Sequence, residues 1–409
     1  MKLQSSVLAF LLSAYATEAN QKDDHPSLRK LTMISDPVTY EAKIPRERRS
    51  CSPKLQAALM TQMPPSRCPL YDLDRRFWCG SHCVETACPV ASWLEEYYQS
   101  IESTSPFLGV SVGCNKAMDA VDTLRMGSRN PEFIKEKWLN AMFDESTSIE
   151  QKRGACNQGL EPPITLKENV PQRPAIMHCI EHVPSTVARL ESAAASLGWD
   201  TESYGQKLVI SPFAIGKDTD ESGMYFPSAV ENEGVETLSL ESCSNPTNRE
   251  SLGCQHVSVY SLDAYSDKYL PKEQVINVLN IDVEGFDFDV MQGGLRVLQR
   301  SEYLEFEYHM VGSWRKQSLR DAIDMLDSQG FTCYWAGREK LWRITGEGCF
   351  LDHYEHKCWS NVACVSRELA PQLSEMMERI FTETIQSRSF VLHSKVKGCT
   401  GWNQCISTN

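Results

Sequence analysis

Several signals that usually narrow a function are missing from this chain of 409 residues. No apolar run approaches the roughly 20 residues that a bilayer-spanning helix needs, so the sequence offers no transmembrane segment. Positive charge is in short supply: 41 Lys and Arg stand against 54 Asp and Glu, a net charge of −13. Proteins that grip a nucleic-acid backbone usually present a basic face, so that balance argues against a nucleic-acid partner. No C-x-x-C pair occurs, which weakens the case for zinc among the cysteines. Acceptors of the Asn-x-Ser/Thr type are also lacking, because Asn245-Pro246-Thr247 is blocked by its proline.

What is present is a globular composition, 41% hydrophobic and 23% charged, which at this length fits one large α/β domain with appendages or two domains. Residues 1–16 read as a secretory signal: Lys2, an apolar stretch over 7–16, and Ala14-Tyr15-Ala16 as an A-x-A cleavage pattern. Residues 17–50 are polar and aperiodic, as in a disordered linker or propeptide, and end in Arg46-Glu47-Arg48-Arg49. That run is similar to a proprotein-convertase site, a four-residue match, and reads more simply as part of a solvated linker. Sixteen cysteines suit an oxidising compartment, so the expected location is secreted or in the endoplasmic reticulum or Golgi lumen. Cys51, Cys68, Cys79, Cys83 and Cys88, interleaved with prolines, suggest a disulfide-stapled cap over 51–105. Cys79, His82, Cys83 and Cys88 are the alternative zinc set; no metal is expected.

The rest of the chain is organised around 278–294, VLNIDVEGFDFDVMQGG. A β-branched run over 275–281 suits a strand buried on both faces. It ends in Asp282-Val283-Glu284-Gly285, and Val290, Met291, Gly294, Val297 and Leu298 follow at helical spacing with Asp287 as a plausible N-cap. Strand, acidic turn and helix mark the place where an open α/β sheet holds its ligand. Further strands are expected at 107–113, 175–181, 207–210, 303–309, 331–335 and 361–365, and helices at 317–330 and 368–385. A helix behind 175–181 would take Ser185 or Thr186 as its N-cap. Between 216 and 256 a short hairpin and a Cys243–Cys254 disulfide are expected, and Cys349, Cys358 and Cys364 could staple the far edge. Cys399 and Cys405 suggest a terminal loop bridge, whereas Cys114 and Cys179, in the predicted core, are expected to stay reduced.

The IDVEG run and its glycine-paired helix resemble the signature of FkbM-type S-adenosylmethionine-dependent methyltransferases. Val110-Ser111-Val112-Gly113-Cys114-Asn115-Lys116-Ala117 is similar to that family's V-D-V-G-x-N-x-G turn: Gly113 and Asn115 match, while Ser111 and Ala117 replace the acid and the last glycine. Glu181-His182 resembles the start of its E-P-x-P turn, Ser211-Pro212-Phe213-Ala214 the segment beside adenine, and Glu307-Tyr308-His309 its E-x-H finish. The resemblance covers about 106–366. It implies a doubly wound, mostly parallel seven-stranded sheet of the class I methyltransferase, Rossmann-like form. The long connection between the first two strands reads as an insertion at about 126–174, and the residues beyond the resemblance as a C-terminal helix and tail over 367–409. It implies S-adenosylmethionine as cofactor, held by Gly113, Asn115, Glu181, Phe213, Ala214 and Asp282. Glu181 is placed to accept ribose hydroxyls.

Methyl transfer to a hydroxyl needs alignment and a proton acceptor. Asp282, Glu284 and His309 are the candidate catalytic groups, with Asp282 or His309 favoured as base and a structural histidine the competing reading of His309. The acceptor that the resemblance implies is a sugar, glycan or small-molecule hydroxyl. A catalytically inactive methyltransferase-fold binding or scaffold protein is one alternative. A nucleotide-sugar-dependent glycosyltransferase is another, although Asp287-Phe288-Asp289 falls inside the predicted helix rather than at a strand end.

Overall fold

The computed structural model describes residues 50–62, 89–101, 104–145, 147, 164–203, 205–227, 243, 246–250, 253–355, 357 and 360–386, all within the compact unit Arg46–Asn409. The expected signal peptide, most of the expected linker with its arginine run, and the cysteines at 68, 79, 83, 88, 156, 358, 399 and 405 lie outside the described residues.

Apolar runs become strands where they are bounded by glycine, proline or acidic turns. In chain order these are β1 (Phe107–Val112), β2 (Ala175–Ile180), β3 (Gln206–Ser211), β4 (Ala214–Gly216), β5 (Asp220–Pro227), β6 (Cys254–Ser261), β7 (Ile276–Ile281), β8 (Ser301–Tyr308), β9 (Phe331–Ala336), β10 (Leu341–Arg343) and β11 (Ser360–Ser366). The large sheet runs β10-β9-β11-β8-β7-β1-β2-β3. Strands β3, β2, β1, β7 and β8 are mutually parallel, and β11 runs antiparallel to both β8 and β9. The sheet therefore has eight strands, not the expected seven. The extra one, β10, pairs antiparallel with β9 after a turn closed by Gly337 N–H to the Lys340 carbonyl at 2.9 Å. Three residues are too few to carry a periodic signal, so β10 was hidden in the sequence.

Helices fill the crossovers: α1 (Pro53–Gln62), α2 (Ser92–Ser100), α3 (Met118–Ser128), α4 (Lys135–Met142), α5 (Pro184–Leu197), α6 (Leu262–Tyr269), α7 (Asp287–Gln292), α8 (Leu295–Gln299), α9 (Leu319–Ser328) and α10 (Pro371–Gln386). The central parallel strands are buried on both faces, with all six residues of β1 inside and β2 and β7 nearly so, which is why they read as apolar runs. Strand β8, SEYLEFEY, instead keeps an alternation of buried and half-buried residues. The N-cap of α5 is Val183, ahead of Pro184 at the first helical turn, rather than Ser185 or Thr186. Proline fits there because that position needs no N–H donor. The expected single helix after β7 is two, α7 and α8, divided at Gly293-Gly294. A Cβ on Gly293 would lie 2.5 Å from the backbone oxygens of Gly216 and Lys217. The pair lets the small β4-β6-β5 sheet press its backbone against this break.

Four disulfides occur among the described residues: Cys51–Cys349, Cys114–Cys179, Cys243–Cys254 and Cys333–Cys364. The Cys243–Cys254 expectation holds. Cys349 and Cys364 do staple the far edge, through Cys51 and Cys333. Cys114 and Cys179 are bonded, not reduced: burial hid them in the sequence reading, yet the turn after β1 folds back over β2 and brings their Cα atoms to 5.5 Å.

Candidate active site at the carboxyl edge

Because five strands run parallel, their ends and the turns after them share one edge. The turn after β1 starts at Gly113, whose φ is +75°. A Cβ there would sit 1.8 Å from the Asp282 carbonyl oxygen, so only glycine lets the β1 and β7 turns meet. The N–H groups of Gly113 and Cys114 both donate to the Ile180 carbonyl, at 2.9 and 3.1 Å. Asn115 and Ala117 also adopt left-handed conformations, φ 46° and 56°, and Ala117 is the N-cap of α3. The chain thus makes, with side-chain-bearing residues, a turn for which the family pattern uses a second glycine.

Glu181 follows β2 and is buried. One of its oxygens accepts from Asn115 N–H at 2.8 Å, and the other from His182 and Val183 N–H at 2.8 and 2.9 Å. Its carboxylate therefore stitches the β1 turn to the β2 turn. His182 stands 3.5 Å from Glu181 and packs on Phe226, with ring centroids 4.3 Å apart. Burial lowers its pKa, with the Glu181 charge acting in the opposite sense.

On the β7 side, Asp282 N–H donates to the Val112 carbonyl at 2.9 Å. Asp282, Val283 and Glu284 are half-buried, and Glu284 is left-handed at φ 52°. Gly285, at φ +99°, lies backbone to backbone with the β8 turn: its absent Cβ would be 2.4 Å from the Val311 oxygen. Asp287 is the first residue of α7 rather than its N-cap, which is Phe286. Its carboxylate is fully buried and accepts from Gly285 N–H at 3.2 Å and from Trp314 Nε1 at 3.3 Å. Burial dominates those hydrogen bonds and pushes its pKa up to about 7. Trp314 stacks on Phe288 and Phe306 and also donates to the Glu307 carbonyl.

His309, just past β8, is fully buried, and its Nδ1 accepts from Val311 N–H at 3.2 Å. That bond fixes the neutral tautomer with hydrogen on Nε2, which lies 3.6 Å from the Glu307 carboxylate. Burial drives its pKa down to about 3. Strand pairing sets Asn280 beside Glu305 and Ile281 beside Phe306, so Asp282 and Glu307 follow as neighbours on the half-buried side.

Gly113, Asn115, Glu181 and Asp282 are thus joined by direct contacts, and His309 is tied in through Val311 and Gly285. Phe213 and Ala214 are not part of this knot. Phe213 stacks on Tyr269 with centroids 5.2 Å apart, and Ala214 is buried with Phe226, Val257 and Val259 in the small sheet. Asp287, Trp314 and Gly312, whose absent Cβ would lie 2.6 Å from the Gly285 oxygen at φ +61°, are the residues that sequence reasoning missed. The spacing from Asp282 to Asp287 was visible, but nothing in a linear pattern says that a carboxylate folds back onto the turn before it.

The description matching this chain is that of the methyltransferase FkbM domain, over residues 173–333. No curated protein and no solved structure matches the chain. The matched span contains Glu181, Asp282, Glu284 and His309 and leaves β1 with Gly113 and Asn115 outside it. From the approach to β2 into β9, residues 173–333 match the pattern of the methyltransferase FkbM domain.

Proposed function

We propose that this protein is an S-adenosylmethionine-dependent methyltransferase that modifies a hydroxyl of a sugar, glycan or small molecule in the secretory pathway. The observation that carries the reading is the knot of Gly113, Asn115, Glu181 and Asp282 at one sheet edge, inside and beside an FkbM domain. The four disulfides fit an oxidising compartment. No helix of the described residues is long and apolar enough to cross a membrane.

The residues fit the cofactor that the family implies. Glu181 gives three acceptor positions to backbone N–H groups, and a carboxylate offers about four, which leaves capacity for a ribose hydroxyl. Gly113 and Asn115 are half-buried, so the turn is partly open beside it. Bound there, S-adenosylmethionine would supply a methyl group on a sulfonium. Glu181 and the Gly113–Asn115 backbone would hold and orient it, and Phe213, the first aromatic after β3 in the chain, would with Ala214 supply a ring wall.

Asp282, half-buried at the end of β7, takes the proton acceptor's role toward the substrate hydroxyl, with Glu284 two residues on as the second candidate. His309 serves better as a positioning group. A ring whose pKa is held near 3 is a weak base at neutral pH, and its Nδ1 is already engaged by Val311.

Calorimetry with S-adenosylmethionine, followed by methyl transfer to a panel of hydroxyl-bearing glycans and small molecules, tests this. Asp282→Asn should keep cofactor affinity and lose about 10²–10⁴-fold in turnover, the range for a general base. A wild type that binds no S-adenosylmethionine sinks the proposal. Binding without transfer to any acceptor would favour the binding or scaffold protein.

A further inference from the structure

The turn after β1 is tied to β2 by more than hydrogen bonds. Cys114, in the middle of the turn, is bonded to Cys179, two residues before Glu181. Both cysteines are buried, at 8% and 0% exposure. Cys179 pairs across the sheet with Ser111, the position where the family pattern has an acid.

Two features leave this turn in need of a brace. Asn115 and Ala117 hold left-handed backbone without being glycine, a conformation that L residues enter only at a cost. The contact that aligns the turn with the β2 acid is a single hydrogen bond from Asn115 N–H to Glu181. The disulfide brackets that bond, one residue to its side on the turn and two on the strand.

The other disulfides hold different places. Cys51–Cys349 ties the lead-in to α1 to the loop after β10, Cys243–Cys254 serves the start of β6, and Cys333–Cys364 crosses between β9 and β11.

We propose that the Cys114–Cys179 disulfide is a positioning element of the cofactor site. It keeps the left-handed turn in place, so that Asn115 N–H meets Glu181 and the cofactor finds a preformed cradle. Loss of the crosslink lowers cofactor affinity through the turn's geometry rather than through the stability of the whole fold. The inference rests on the cofactor reading given above.

The test compares the full-length wild type with Cys114→Ala/Cys179→Ala and with Cys333→Ala/Cys364→Ala. S-adenosylhomocysteine is titrated by calorimetry, amide exchange at 113–117 is followed without ligand, and the melting temperature is recorded for each. If the bound geometry of the turn falls to about a tenth of the population, the first variant's Kd for S-adenosylhomocysteine rises about tenfold. Exchange at 113–117 should quicken in step. The second variant should melt lower, with wild-type affinity and wild-type exchange at the turn. Wild-type affinity in the first variant overturns the proposal. Equal loss of affinity in both variants, in step with melting temperature, also overturns it, because the disulfide would then act through global stability. A wild type that binds no S-adenosylhomocysteine sinks the cofactor reading instead. Exchange then decides what is left: quickened exchange at 113–117 keeps the crosslink as the brace of the turn, and unchanged exchange removes that role too.

Discussion

The two halves of the carboxyl edge are built from different materials. The β1–β2 half is held by a disulfide, by backbone N–H groups donating to Ile180 and Glu181, and by a turn that bends through left-handed residues. The β7–β8 half is held by buried ionisable side chains, Asp287 and His309, and by a glycine-to-glycine backbone contact between the two turns. One half is fixed by covalent and main-chain links. The other depends on the protonation of groups that burial has pushed far from their ordinary pKa values. The proposed methyl transfer would gain from both: its donor side needs to be preformed, whereas its acceptor side needs to manage a proton.

Gly113 is where the halves touch, so its replacement should have the largest effect. Gly113→Ala places a methyl 1.8 Å from the Asp282 oxygen at φ +75°, and backbone on both sides must move. Loss of about 4 kcal/mol or more is expected, the range for a clash that the core cannot absorb. Gly198→Ala is the matched control. It has φ +69° and nothing within 4 Å of the added methyl, so only the conformational cost of about 1 kcal/mol applies. Urea unfolding of the two variants separates the contact from the dihedral. Equal losses would mean that the halves are not wedged together at Gly113.

Next in size is Glu181→Ala, which breaks the first half internally. Three backbone N–H groups lose their acceptor. Cofactor affinity should fall by about 1–3 kcal/mol, the usual loss for a charged acceptor. Calorimetry would read it, and unchanged affinity would remove Glu181 from the cofactor site.

How far the sequence disclosed this edge follows the same division. Glu181, Asp282 and Gly113 were legible because strand ends and turn glycines leave linear marks: a β-branched run, then an acid or a glycine. The helical stretch after β7 and the parallel order followed from alternation of patterns, but the division of that stretch at Gly293-Gly294 did not. What stayed hidden was nonlocal. Cys114 and Cys179 are 65 residues apart, and an apolar setting argued for free thiols, so only the fold of the turn reveals their bond. Asp287 read as a cap because Asp commonly caps helices. That it instead turns back onto Gly285 and Trp314 depends on a tryptophan 27 residues away. Phe213 and Ala214 were placed by resemblance alone, and the aromatic cluster around Phe213 had no periodic signal.

The third effect belongs to the β7–β8 half and has opposite signs at its two groups. Asp287 is raised from 3.8 to about 7, so the folded state holds its proton longer than the unfolded chain. Stability is therefore lost as pH rises from about 4 toward 7. His309 is lowered from 6.5 to about 3, so stability is lost as pH falls through that window. Each contributes at most about 1.4 kcal/mol per pH unit. Asp287→Asn removes the first slope and keeps a side-chain acceptor for Trp314. The variant should gain on wild type between pH 4 and 7 in chemical unfolding followed across that range. Parallel pH profiles would show that Asp287 does not titrate in the window and that the contrast between the halves is wrong.

The smallest effect tests the first half's cost. Ala117 holds φ 56° where the family pattern has glycine, and its methyl is buried. Replacing it by glycine relieves about 1–2 kcal/mol of left-handed strain. The change gives back roughly 0.5–1 kcal/mol through the freer unfolded chain, and about 0.8 kcal/mol through the lost buried methyl. Ala117→Gly should therefore lie within about 1 kcal/mol of wild type, since these contributions nearly cancel. Glu284→Gly offers the counterpart in the second half, with φ 52° on a half-buried residue. Relief of about 1–2 kcal/mol of left-handed strain there is offset by the freer unfolded chain and by the lost contacts of a side chain whose Oε2 is buried, so this variant too should lie within about 1 kcal/mol of wild type. Thermal unfolding of both single variants, in the presence and absence of the Cys114–Cys179 crosslink, gives the comparison its finest resolution. If Ala117→Gly destabilises by well over 1 kcal/mol while Glu284→Gly does not, the alanine methyl is a packing element. The turn's rigidity would then come from its side chain as well as from the disulfide that brackets it.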